Sequence, residues 1–409
     1  MKIAYVTTFD SNDPSAWSSA GYEIPRILEA AGAEIVRIGN LRRTPTAAAL
    51  ARMAIAKATG HPYQIDRERS VLRGYAEQVI ATLHGRKFDV LLSPGSIPLA
   101  FIESDKPKVL WTDCTFASML DYYPAFTGLP RRNIRDGHAM EKASLSGCDL
   151  AAFNCEWGAR AAIEVYGTDP SKVEVVPFGS SLETALSLNN LRELVEQRLS
   201  DNTVRLLFVG TDWGRKNGDF AVAVAERLNQ RGVKATLSIV GTTRPKMPEH
   251  IVSHGLVNKG TSEGAEFLSR CYMQSTFLIH PALAECNANV FSEACAFGLP
   301  VLANNTGGNA TSVISGGNGH LFALDDGPEE WASWIVKMSS DREAYFALSY
   351  GALLQHSELL NWSVAGSRML RLIESVVLRS SSNDSGSTSH MRVGRLVEPP
   401  SIRRLSGLS

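Results

Sequence analysis

Four things are missing from the 409 residues: a C-x-x-C pair, an Asp-x-Asp, a G-x-G-x-x-G after the first apolar run, and any stretch of eighteen uninterrupted apolar residues. Without the last, no membrane-spanning helix is expected. The opening MKIAYVTTFD meets Asp10 too soon to form a signal-peptide core, so the expectation is a cytoplasmic protein. Without G-x-G-x-x-G, and without an acidic ribose ligand after it, a nicotinamide-dependent oxidoreductase is disfavoured. Charge of one sign is also missing: 41 Lys and Arg against 42 Asp and Glu give a net charge of −1, which leaves nucleic acid no electrostatic footprint. The six cysteines, Cys114, Cys148, Cys155, Cys271, Cys286 and Cys295, mostly lie in apolar segments and read as buried free thiols, not metal ligands or disulfides.

What is present is alternation. KIAYVTTF reads as a strand, SAGYEIPRILEAAG as a helix, and EIVRIG, FDVLLSPG, PKVLWTD, DLAAFN and VEVVPFG repeat the theme, the signature of a parallel sheet covered by helices. A second series starts at VRLLFVG and runs through KATLSIVG, TFLIHPA and LPVLANN. The fold class expected is α/β, with two doubly wound Rossmann-like domains facing each other across a cleft. The boundaries read as 1–183 for the first domain, 184–200 for a linker, 201–355 for the second domain and 356–378 for a last helix. Serine-rich 379–409 reads as a disordered tail. Residues 42–87 hold nine Lys or Arg and three Asp or Glu, a solvated helical face or one turned to an anionic acceptor or a membrane surface.

In an open parallel sheet, ligands bind beyond the carboxyl ends of the strands, and three segments of the second series fall there. In FVGTDWGRKNG, Gly210 lets the chain turn, and Arg215 and Lys216 stand beside a helix opening at Asn217 or Gly218, a site for a diphosphate. In AECNANVFSEACAFGLPV, Glu285 lies in a loop and Glu293, eight positions on, lies inside a helix that starts at Ala288 or Asn289 with Asn287 or Asn289 as cap. Carboxylates accept from vicinal hydroxyls and the amides between them donate, which suits a polyol joined to phosphate. The third is the turn Thr306-Gly307-Gly308 after LPVLANN. In the first series, Asp113 ends the strand PKVLWT and either contacts a ligand or caps the next turn. His138 and Glu141 are weaker candidates, with His138 read as a surface residue and His280 as a satisfied structural one. Trp111 and Trp157 read as core.

The order RK, E-x7-E, AFGLPV, N-T-G-G and GGNGHLF resembles the retaining glycosyltransferases of family 4, among the glycosyl transferases group 1, with the glycosyltransferase-B (GT-B) fold. WTDCTFASMLDYYP and NCEWGARAAIEVYGTDPSKVEVVPFG are similar to the family's segments before the interdomain linker, and the likeness runs over nearly residues 1–378. The resemblance implies that the first domain takes the acceptor and the second a nucleotide-sugar donor. Arg215 and Lys216 would then hold the donor diphosphate, Glu293 the ribose, and Glu285 the sugar hydroxyls, with Asn287, Ala288 and Asn289 alongside. Thr306 and Gly307 would border the phosphates, and Gly21 in WSSAGYE would lie in a loop near the reaction centre. The last helix would cross back to the first domain. No cofactor or metal is implied. The partners are a nucleotide sugar and a hydroxyl acceptor, with peripheral contact to the inner face of a membrane as a further expectation. The chain departs from the family at Cys286 to Asn289, where a glycine-rich or aromatic run is usual, and at Ser18 to Gly21. A fold-sharing binding protein, a phosphorylase or an epimerase is the alternative.

Overall fold

Val, Ile, Leu and Phe runs flanked by glycine and amphipathic helices build two parallel sheets in the computed structural model, which describes residues 1–14, 16–182, 184, 186–383 and 391–394. The chain divides into two compact units, Met1–Val176 with Gly366–Ser409, and Pro177–Ala365. Among the described residues no helix is long and apolar enough to cross a membrane.

The first unit contains β1 (Lys2–Val6), β2 (Glu34–Ile38), β3 (Val90–Ser93), β4 (Ile102–Ser104), β5 (Lys108–Thr112), β6 (Leu150–Phe153) and β7 (Val173–Val175). Six of these form one parallel sheet in the order β2-β1-β3-β5-β6-β7, with Ile3 opposite both Ile35 and Val90. The order reverses between β1 and β3. The second unit contains β8 (Val204–Val209), β9 (Ala235–Val240), β10 (Ile251–Ser253), β11 (Phe277–His280), β12 (Val301–Asn304) and β13 (Gly319–Phe322), in the order β10-β9-β8-β11-β12-β13. Here the reversal falls between β8 and β11, the crevice where such sheets bind ligands. Both faces of this sheet are covered: Leu206, Phe208, Ile239 and Ile279 pack toward Val224, Leu228 and Trp331, while Leu207, Leu278 and Val301 pack toward Tyr272, Phe291 and Ala294.

The stretch 184–200 holds a helix, Leu188–Leu199, whose Leu191, Val195 and Leu199 are buried in the second core. The last helix runs Trp362–Asn383, and from Gly366 onward it belongs to the first unit. A side chain at 366 would place its Cβ 2.6 Å from Ile27 Cγ1, so glycine permits this close packing, and Arg368 pairs with Glu174 at 3.1 Å. The tail expectation is corrected in part. Residues 379–383 continue that helix, and Met391–Val393 forms β14, antiparallel to β4, because Met391 and Val393 pack on the core of the first unit. The remainder of 379–409 lies outside the described residues.

Candidate active site

Three short segments meet at the reversal between β8 and β11, tied by backbone bonds. Leu283 N donates to Arg215 O at 2.9 Å, Arg215 Nη1 donates to Ala284 O at 2.7 Å, and Gly308 N reaches Glu285 O at 3.4 Å. Thr306 Oγ1 donates to Leu283 O at 3.4 Å, and Gly307 takes a φ of 54°, a left-handed conformation suited to glycine. The loops after β8, β11 and β12 are thus one construction.

Its centre is Glu285. Oε2 accepts from Arg215 Nη1 at 3.0 Å, from Lys216 Nζ at 3.4 Å and from His280 Nε2 at 3.3 Å. Burial alone would raise the Glu285 carboxyl, but Lys216, the His280 hydrogen bond and Arg215 outweigh it and hold the group well below the usual carboxylate range. Burial first, then Lys216, pushes His280 down to about 4, so the imidazole is neutral and donates from Nε2. Reading His280 as satisfied is corrected in part: Nε2 bonds Glu285 but Nδ1 is buried without a hydrogen-bond partner, and the Phe291 ring packs edge to face with the imidazole at 5.1 Å. Gly210 has a steric role. A Cβ there would lie 2.2 Å from Lys216 Cδ, so the lysine stem crosses the space that glycine leaves.

Glu293 sits in a second cluster. It is 2% exposed on the helix Asn289–Ala296, with Oε1 accepting from Lys259 Nζ at 2.8 Å and Ser181 Oγ at 3.0 Å, and Oε2 from Tyr272 Oη at 2.8 Å. Burial raises its pKa, and Lys259 with the Tyr272 and Ser181 hydrogen bonds brings it below the ordinary value. Lys259, Ser181 and Tyr272 carry no signal in the sequence, because only tertiary packing brings them to the helix. The cap also differs from expectation: Ala288 occupies the N-cap with no side-chain bond, so neither Asn287 nor Asn289 caps this helix. Behind it stands Arg198, 2% exposed, whose guanidinium donates to the carbonyls of Met273, Tyr272, Phe297 and Gly298 at 2.7–3.1 Å. One side chain thereby satisfies the carboxyl ends of the helices Ser262–Gln274 and Asn289–Ala296.

The other candidates belong to the first unit. Asp113 Oδ1 accepts from Asn154 Nδ2 at 3.3 Å just beyond β5 and β6. Gly21 lies in the first turn of the helix Ala20–Ala30 and its carbonyl accepts from Tyr5 Oη at 3.1 Å. The preceding Trp17 and Ser19 take positive φ values of 49° and 74°, costing of order 1 kcal/mol each. His138 is not a surface residue. It is half-buried, its Nδ1 lies 3.0 Å from Tyr166 Oη, and burial followed by Arg67 lowers it to about 4. Glu141 is buried and accepts from Ser96 Oγ at 2.7 Å. Trp111 is core, whereas Trp157 is half-buried against Tyr122. The six cysteines are free thiols, five of them buried and Cys271 partly so.

The sheets and the ligand crevice define a two-domain GT-B fold. Among solved structures, sucrose-phosphate synthase from Thermosynechococcus elongatus superposes with a TM-score of 0.67 over 93% of this chain and 100% of that one, at 14% identity. Anabaena HepE, solved in complex with UDP and glucose, gives 0.59 over 92% of this chain and 100% of that one, at 15% identity. Residues 203–341, within the second unit, match the family model described as glycosyl transferases group 1. The curated relatives include D-inositol 3-phosphate glycosyltransferase of Nocardia farcinica, 25% identical over 54% of this chain and 52% of that protein. D-inositol 3-phosphate glycosyltransferase 1 of Catenulispora acidiphila is 27% identical over 58% of this chain and 60% of that protein. The chain spans between half and three fifths of the length of these relatives.

Proposed function

We propose that this protein is a retaining, metal-independent glycosyltransferase of family 4, moving a sugar from a nucleotide-diphosphate sugar to a hydroxyl acceptor. The observation that carries the reading is the convergence of Arg215 and Lys216 on Glu285 at the crevice between β8 and β11. Arg215 is shared between Glu285 and the exposed Asp212, at 3.0 and 3.2 Å, and His280 is neutral, so the two cations are balanced by two carboxylates until a diphosphate competes for their remaining donors. The Lys216 ammonium has three donors and directs one to Glu285, so it can hold a phosphate oxygen without abandoning its anchor. Such preorganised charge contributes several kcal/mol, of order 3, to leaving-group departure.

In this reading Glu285 orients the sugar hydroxyls and is not a nucleophile, the acceptor attacks from the leaving-group face, and a donor phosphate oxygen takes its proton. Thr306 and Gly307 border the phosphates, and Glu293 accepts from the ribose. Glu293 already receives three hydrogen bonds and a carboxylate offers about four sites, so ribose hydroxyls would take the remaining site or displace Ser181. Asp113 and the turn before Gly21 serve the acceptor side. The names of the relatives and the UDP complex of HepE support a nucleotide-sugar donor.

The test is release of nucleoside diphosphate from UDP-, GDP- and ADP-sugars in the presence of EDTA, with the anomeric configuration of the product read by NMR. Release from one donor with retained configuration is expected. Inverted product or activity restored only by a divalent ion would refute the corresponding part.

A further inference from the structure

The first unit holds a second buried arginine whose situation is the opposite of Arg198. Arg67, in the short turn Ile65–Arg67, is 5% exposed, and its Nε has no hydrogen-bond partner. No hydrogen bond or ion pair joins its guanidinium to a carboxylate among the described residues. Its guanidinium carbon lies 4.5 Å from the ring centroid of Phe116 and 5.4 Å from that of Phe126, two rings set edge to face 6.1 Å apart on the same side of it. Glu141 is the acidic group that acts on it most strongly, but that carboxylate accepts from Ser96. A planar cation packed against two rings with its buried Nε unpaired is costly to bury, and a chain that needed only a bulky filler would gain stability from methionine.

Its place in the fold is informative. Phe116 follows β5 by four residues and Ser96 follows β3 by three, so Arg67 stands at the carboxyl end of the first sheet, where open α/β sheets take ligands. Phe126 covers it from Pro124–Phe126, a one-turn segment bordered by exposed residues. Around the same turn and the helix Arg131–Ser146, Arg69, Arg132 and Arg135 surround Asp136 at 3.5–3.9 Å, longer than tight charge-assisted bonds, and 40–58% of each arginine side chain is exposed. Counting Arg43 on Asp66 and Arg52 on Glu68 beside these, six arginines stand with four carboxylates, Asp66, Glu68, Asp136 and Glu141, an excess of positive charge that makes this face attractive to anions.

We propose that Arg67 is the recognition group for an anion, a phosphate or carboxylate borne by the acceptor, gripped by the guanidinium that Phe116 and Phe126 hold from one side. The word acceptor rests on the glycosyltransferase reading; the anion site does not. The guanidinium supplies two parallel N–H donors to two oxygens, which a lysine cannot copy.

The experiment is thermal unfolding of the full chain at constant ionic strength with inorganic phosphate, glycerol phosphate or glucuronate, against chloride. It compares wild type with Arg67→Met, Arg67→Lys and Arg67→Met/Glu141→Gln, the last removing the carboxylate left behind. All are measured in a Lys216→Ala background so that the second unit contributes less anion binding. Expected are a rise of about 2–4 °C for the wild-type residue at tenfold excess over Kd, a smaller rise for Arg67→Lys, and none for Arg67→Met. Without anion, Arg67→Met or the double variant should melt at or above the parent. A preference for glycerol phosphate over inorganic phosphate assigns the anion to a larger acceptor, and equal shifts assign it to free phosphate. The proposal is overturned if the Arg67→Met chains keep the full anion response, or if both melt far below the parent, which would make Arg67 a structural residue. UDP stabilisation of the Arg67→Met variant with Lys216 intact is the separate control: its absence would count against the donor reading and leave the anion result standing.

Discussion

His280 shows how much one side chain can couple in this site. It is fully buried, its Nε2 reaches Glu285 at 3.3 Å, and its pKa falls from an ordinary 6.5 to about 4. As pH falls, the unfolded chain takes up the proton first, so this contribution to stability is complete above 6.5 and is lost progressively toward 4. The full effect is ~3 kcal/mol. In His280→Gln, which keeps a donor for Glu285, urea midpoints measured from pH 7 to 4 should fall less steeply, by about one proton. An unchanged slope would mean that the imidazole is not held neutral. Glu293 calls for Gln and not Ala as the informative substitution, because its burial with Lys259, Tyr272 and Ser181 makes truncation a folding lesion. Glu293→Gln should remain folded, lose roughly 1–3 kcal/mol of stability and bind nucleotide more weakly. Denaturation and calorimetry on the same sample check both parts. Arg215, Lys216 and Glu285 could be read from the sequence because each lies in the loop that follows an apolar strand run, β8 ending at Val209 or β11 at His280. Lys259 and Arg67 could not, since their meaning lies in what packs, or fails to pack, against them.

At the scale of elements, the site depends on how the helices behind it end. Arg198 satisfies carbonyls at the ends of two helices that carry Tyr272 and Glu293, and the stacked rings of Tyr272 and Phe297 lie 5.6 Å apart beside it. Arg198→Met should destabilise the second unit by ~3–5 kcal/mol, because the four carbonyls stay buried when their donor is removed. A thermal midpoint within a degree of wild type would contradict this. Gly210→Ala should act differently. The new methyl meets only the flexible stem of Lys216, so the fold should survive while nucleotide affinity drops by roughly tenfold, ~1.4 kcal/mol. Strands and most helices were legible through hydrophobic periodicity and glycine stops. The helix Leu188–Leu199 reads in sequence as a polar connection because only Leu191, Val195, Arg198 and Leu199 turn inward. β14 escaped because three residues in a serine-rich context carry no periodic signal, and its pairing with β4 is settled by contacts some 290 residues away in sequence.

For the whole molecule, two units with separate cores give each sheet its own order reversal, and the chemistry readable in the sequence concentrates at the reversal of the second. The first unit was less legible, since it presents its polar residues on loops and short turns whose spacing follows no period. In the function proposed, Arg215 and Lys216, held by Glu285, receive the diphosphate of a nucleotide. Isothermal titration of UDP, GDP and ADP into the wild-type protein and into Lys216→Ala tests it most directly. At least one of the three nucleotides is expected to bind the wild type, and the variant, still folded by circular dichroism, to bind it at least tenfold more weakly. Binding of none of the three, or equal binding to both proteins, would contradict it.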